Sequence, residues 1–362
     1  MFSGRPSVTT LLGVVALLSI IVLSGCVSVP LNSQYKGPKI RPAEIEQYYS
    51  KGNSFTGYKE SDLQEGEEYN FRLVTINTKF GDIKIDYYDS PAKDKDLILV
   101  FPLLGGKPIV ESHFAKYYAE HGFDTAIVRR NEDFKNPDNF DNIEEMLRLN
   151  VVRDRIALDF FEKIYYKHNF GAFGISRGAI NVSMTAGIDP RLKYVVIAMG
   201  ASDLPLIFKH SDEKRLKKYV EQVMKDKDIT KAQFFTFLEE QVKTDPKYLA
   251  QYIDARNTMM FLCLFDETVP YEYGRRLRAT IGEPKTVFLL SNHYTAVAFT
   301  QLFSILPPGK DNGLFPFNYI ELESLDFFRR KFERKKPVFG LWPFKIMRLP
   351  FDLIGNIAER VF

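Results

Sequence analysis

From Leu97 the chain reads LILVFPLLGG, an unbroken apolar run closed by a glycine pair. Such a run has no alternate residue to turn towards water, so it reads as a strand buried on both faces, as in a parallel sheet covered by helices on each side. The pattern repeats. FDTAIV from Phe123, Phe170–Ile175, Tyr194–Met199, Thr258–Phe265 and Thr286–Leu290 are short apolar runs, separated by helical stretches around Val110–His121, Asn142–His168 and Arg177–Ala186. Strand and helix in alternation predict an α/β fold with a mostly parallel central sheet flanked by helices. Before the first parallel strand, Tyr69–Ile76 and Ile83–Tyr88 flank NTKFGD and predict an antiparallel hairpin.

The alternation breaks once. Residues 203–256 lie between two strands and read as helices, among them KRLKKYVEQVMKD and AQFFTFLEEQV. An insertion of that size is expected to form a helical cap that shapes a substrate pocket, the alternative being added packing.

The first 26 residues read as an address. Val8 to Leu23 carries no charge, follows Arg5, and runs into Leu23-Ser24-Gly25-Cys26, which resembles the bacterial lipobox. The resemblance implies a signal peptide over residues 1–25 and a lipidated Cys26 that anchors the protein to a membrane. Val27 stands where lipoproteins kept in the inner membrane carry Asp, so in a Gram-negative envelope the expected place is the periplasmic face of the outer membrane. A retained transmembrane helix and a chance cysteine are the competing readings; the apolar stretch is short for a span of about 20 residues. Residues 26–65, rich in Pro, Gly, Ser and charge, are expected to be a tether, and residues 66–336 the catalytic domain.

With 49 Lys and Arg against 46 Asp and Glu, the net charge of +3 gives no support to a nucleic acid partner. Two cysteines, Cys26 and Cys263, exclude a disulfide scaffold, and Cys263 reads as a small apolar strand residue. No cluster has the spacing of a metal site, and no metal or cofactor is expected. Phe328–Lys336, FRRKFERKK, precedes a tail over 337–362 in which Pro343, Pro350, Lys345, Arg348 and Asp352 interrupt an apolar sequence. The basic run and amphipathic tail either press against anionic lipid or pack on the domain.

Chemistry enters at Gly174-Ile175-Ser176-Arg177-Gly178, a GxSxG pattern between an apolar strand and a helix of small residues. A serine raised on a sharp strand-to-helix turn needs glycines on either side and a base to take its proton. Of five histidines, His113, His121 and His168 are expected at the surface and His210 in the cap, whereas His293 directly follows the last strand. Asp266 opens DETVP after the strand MMFLCLF; Glu267 and Asp203 are its rivals.

This loop, the serine turn and the order Ser176, Asp266, His293 resemble the α/β-hydrolase family over residues 69–335. The resemblance implies a cofactor-free serine hydrolase with Ser176 as nucleophile, His293 as base and Asp266 as its partner. The oxyanion donors would be the backbone amides of Arg177 and Leu104, although Pro102-Leu103 replaces the His-Gly pair that many relatives carry before the Gly105-Gly106 pair. The expected reaction is hydrolysis of carboxylic esters, small or lipid, through an acyl-enzyme. Acyl transfer, peptide cleavage and a non-catalytic binding role are the alternatives. Arg177 either binds an anionic substrate or is a solvent-facing or salt-bridged arginine.

Overall fold

The computed structural model describes residues 26–92, 96–103, 108–130, 136–296, 300, 318–334, 338–346, 348–349 and 352. In chain order they form β1 (Cys26–Val29), α1 (Ala43–Tyr48), β2 (Gly57–Glu60), β3 (Asn70–Asn77), β4 (Ile83–Asp89), β5 (Asp96–Phe101), α2 (Ile109–Glu120), β6 (Asp124–Val128), α3 (Ile143–Ile164), β7 (Asn169–Ile175), α4 (Arg177–Ile188) and β8 (Leu192–Ala198). Then come α5 (Leu204–His210), α6 (Lys214–Asp226), α7 (Lys231–Gln241), α8 (Pro246–Leu249), β9 (Thr258–Cys263), α9 (Tyr271–Ile281), β10 (Lys285–Leu289) and α10 (Tyr319–Lys331).

The strands make one sheet in the order β1-β10-β9-β8-β7-β5-β6-β4-β3-β2. Its centre, from β10 to β6, is parallel; β1 at one edge and the β4, β3, β2 ribbon at the other pair antiparallel. The apolar run that begins at Leu97 is divided between two cores. Ile98 and Val100 pack with Phe114 and Tyr118 of α2 and Phe328 of α10, whereas Leu97, Leu99 and Phe101 meet Ile156 and Phe160 of α3 and Val182 of α4. Because successive side chains of a strand point to opposite faces, both halves of such a run find a helix layer. A third cluster joins α6 and α7 to the start of α3 through Phe140, Leu147, Val223, Phe234 and Leu238, so the helices between β8 and β9 sit over the end of the sheet where β7 delivers Ser176.

Residues 26–65 are not the expected tether. β1 pairs Cys26 with Leu289 and Val29 with Thr286, β2 pairs Gly57 with Asn77, and Tyr49 is buried with its hydroxyl 2.9 Å from Thr244 Oγ1. Glycine and proline here punctuate short edge elements, which need little apolar sequence because only one face and one strand neighbour are available to them.

The described part of the tail packs on the domain. Leu341 and Phe344 are buried, the Phe344 ring lies tilted against Tyr319 with centroids 5.2 Å apart, Lys345 pairs with Asp326 at 3.0 Å, and Arg348 contacts Tyr319 and Asp352. Three cations of the basic run before it are engaged within the molecule: Arg330 with Asp326, Arg334 with Asp96, and Lys331 with the Arg256 carbonyl.

Candidate active site

Ser176 stands between β7 and α4 with φ 53° and ψ −122°, a conformation that L-residues rarely adopt. Its backbone N–H donates to Ala198 O at 2.8 Å, which ties the turn to β8. The flanking glycines are required by contact. A Cβ on Gly174 would lie 2.5 Å from the Gly178 carbonyl, and one on Gly178 would lie 2.4 Å from the Phe101 carbonyl at the end of β5. The strain, on the order of 1–3 kcal/mol, persists because the surrounding strands leave no other path.

Asp266 is buried after β9. Its Oδ1 accepts from Thr268 N at 3.0 Å and Val269 N at 2.8 Å, a turn in which the carboxylate is held by its own loop. That leaves Oδ2 for His293 Nδ1, 2.7 Å away, and His293 Nε2 lies 2.9 Å from Ser176 Oγ. The structure thus brings Ser176, His293 and Asp266 into one hydrogen-bonded line. With Asp266 on Nδ1, the imidazole presents Nε2 to the serine hydroxyl, and the carboxylate stabilises any positive charge the ring acquires.

The rivals lie elsewhere. Glu267 is exposed, and Asp203 turns to Lys247 and Arg276 at 3.3 and 3.4 Å. His168 is exposed, and His210 sits 2.5 Å from Tyr273 Oη in the cap. His113 departs from the expected surface position: it is half-buried, with Nε2 2.8 Å from the buried Glu321 carboxylate of α10. Sequence alone had no signal for that partner, which lies 208 residues away.

Arg177 begins α4, and its side chain meets a largely apolar wall of Ile143, Leu147, Leu204, Phe208 and Leu238. Burial, aided by the neighbouring charge of Arg130, brings its guanidinium down to about 10 against the pull of Asp245. Leu104 lies outside the described residues; Pro102, two positions earlier, is buried, and its carbonyl faces Gly178. Two supports were invisible in the sequence. Arg130 holds Asp154 of α3 bidentately at 2.6 and 2.9 Å, and Thr185 of α4 donates to the same carboxylate at 2.7 Å, locking the helix that begins after Ser176. The cap's first turn is fastened to the acid loop through Asp212 N to Glu267 O at 3.0 Å and Ser211 Oγ to Thr268 O at 2.5 Å.

Cys26 is 2% exposed and Cys263 is likewise buried, its sulfur accepting from Ser291 Oγ at 3.2 Å. Burial pushes both thiols up to about 12.

No known family profile matches the chain, and no curated protein matches its sequence. Among solved structures it is similar to acetyl xylan esterase 1 from Thermoanaerobacterium sp., with 14% identity, a TM-score of 0.52, and coverage of 76% of this chain and 100% of that one. An acetyl xylan esterase from Paenibacillus sp. gives 14% identity, a TM-score of 0.47 and coverage of 70% and 94%. The acylaminoacyl peptidase of Pyrococcus horikoshii gives 13%, 0.49, and coverage of 75% and 42%. At such identities the likeness is one of architecture, and together with the six-stranded parallel centre and the strained turn after β7 it identifies the chain as having the α/β-hydrolase fold.

Proposed function

We propose that the protein is a serine hydrolase that cleaves carboxylic esters through an acyl-enzyme. The observation that carries this reading is the His293 ring, bonded at once to Ser176 Oγ and Asp266 Oδ2. Ser176 Oγ attacks the ester carbonyl carbon while His293 Nε2 takes its proton; the tetrahedral oxyanion collapses and the alcohol leaves with that proton. Water then attacks the acyl-serine, with His293 again as base, and the carboxylic acid is released. In this reading the backbone amides of Arg177 and Leu104 are the oxyanion donors, Leu104 lying outside the described residues. Purified protein should be labelled by a fluorophosphonate and turn over p-nitrophenyl butyrate. Ser176→Ala should remove the label and lower turnover on the order of 10⁴-fold or more. A folded wild-type protein that takes no label would sink the reading and favour a binding role.

The second part of the proposal is a lipid anchor at Cys26, supported by the Leu23-Ser24-Gly25-Cys26 motif and the uncharged run before it. This makes the protein an envelope lipoprotein, facing the periplasm from the outer membrane if the cell is Gram-negative. A glyceryl thioether has no room where the Cys26 side chain lies, so in the anchored protein the first rung of β1 opens while Val27–Phe288, Ser28–Val287 and Val29–Thr286 remain. Counting thiols in urea distinguishes the cases: protein extracted from membranes titrates as Cys263 alone if anchored this way, and as both cysteines if not.

A further inference from the structure

β1 runs antiparallel to β10, with Cys26 opposite Leu289. Cys26, the anchor point of the proposed lipoprotein, therefore lies at the end of β10 that leads to His293, the catalytic end of the sheet. Several large exposed apolar side chains lie there as well. Phe265 precedes Asp266, Leu290 follows β10, and Tyr294 adjoins His293; the three are 61%, 53% and 61% exposed.

The tail extends this surface. α10 starts at Tyr319 and descends to Phe328 and Phe332, which abut Gly171 near the beginning of β7; the tail returns alongside it, with Lys345 at Asp326, Arg348 at Tyr319 and Asp352 accepting from Ser28 N at 2.6 Å. Leu341, Phe344 and Arg348 face inward, leaving Trp342, Ile346 and Leu349 outward at helical spacing, 61%, 62% and 59% exposed. The antiparallel course of the tail carries Ile346 and Leu349 towards the catalytic end, with Trp342 a turn further from it, and exposed apolar side chains of this size suit the interface between headgroups and acyl chains.

We propose that this catalytic end rests on a lipid surface, so that the ester hydrolysed at Ser176 is a long-chain acyl ester carried in that surface. The inference relies on the hydrolase reading for the substrate and on strand direction for the orientation. Glu267, exposed beside Phe265, keeps the contact shallow, within the headgroup layer. Attraction is apolar in origin, because Arg330, Lys331 and Arg334 of the 328–336 run are engaged within the molecule, Arg334 with Asp96 at the start of β5.

The test uses the full chain reconstituted into phosphatidylcholine vesicles with and without doxyl-labelled lipid. Trp342 is the only tryptophan, so its emission reports the tail directly. Lipid-borne doxyl should quench it by about half or more, and 0.5 M salt should leave the quenching unchanged. The Ile346→Asp/Leu349→Asp protein should lose the quenching and about tenfold of its turnover of 4-methylumbelliferyl oleate dissolved in the vesicles, while p-nitrophenyl butyrate turnover stays within about twofold. Unquenched Trp342 emission in the wild type, or equal loss on both esters, would overturn the proposal. If neither ester is cleaved and no fluorophosphonate binds, the hydrolase reading fails, and the quenching still decides the orientation.

Discussion

Gly178 has no room for a methyl group, and the obstacle is the Phe101 carbonyl, an atom that cannot rotate away. Gly178→Ala must therefore move α4 or the end of β5, and both carry the geometry around Ser176. We expect a cost of about 3 kcal/mol, read as a lower urea midpoint, together with loss of fluorophosphonate labelling. Ordinary expression, an unchanged midpoint and normal labelling would contradict it. At this scale the sequence was most legible. A serine between two glycines after an apolar run has few uses, and only one of five histidines follows Asp266 in the chain. The Asp266 turn could also be read, since a carboxylate at the head of a loop bonds the amides two and three residues on. Arg177 could not: whether a long cation lies in solvent or under a cap is decided by helices that begin near residue 204.

Among elements, the central strands were readable because burial on both faces makes their middles continuously apolar, with polar residues such as Asp96 and Thr258 only at their starts. β1 and β2 were not, since CVSV and GYKE carry too few apolar residues to stand out from the loops around them. The tail failed in the opposite way. Apolar residues occur on both of its faces, and only the contacts with α10 reveal that Leu341 and Phe344 are inside while Trp342, Ile346 and Leu349 are outside. Burial of Phe344 should supply roughly 2–3 kcal/mol of the tail's docking. Phe344→Ala is expected to make Lys345 and Arg348 early trypsin sites while the rest of the domain keeps its resistance. Resistance equal to that of the wild type would mean that the ion pairs of Lys345 and Arg348 hold the segment unaided.

Taken whole, the molecule buries phenols and thiols in number. Tyr118 and Tyr319 are held well above 10 by burial, and Cys263 is pushed from 9.0 to about 12. The folded state thus keeps protons that the unfolded chain releases, and each such group subtracts stability once pH passes its unfolded value. Stability should fall as pH rises above about 9, by about 1.4 kcal/mol per pH unit for each titrating group. Urea midpoints at pH 8, 9.5 and 10.5 measure this, and a flat profile would show that these groups are reached by water in the native state.

The burial of Cys26 in β1 also sets an order of events. In the proposed lipoprotein, a thiol closed into a sheet cannot be reached by a diacylglyceryl-transferring enzyme, so lipidation and completion of the sheet would compete for the same residue. Whichever comes first decides the outcome: a chain modified early folds with its edge rung open, and a chain that folds early seals its own attachment point. Delaying export or speeding folding should therefore accumulate a compact protein that no longer accepts its anchor.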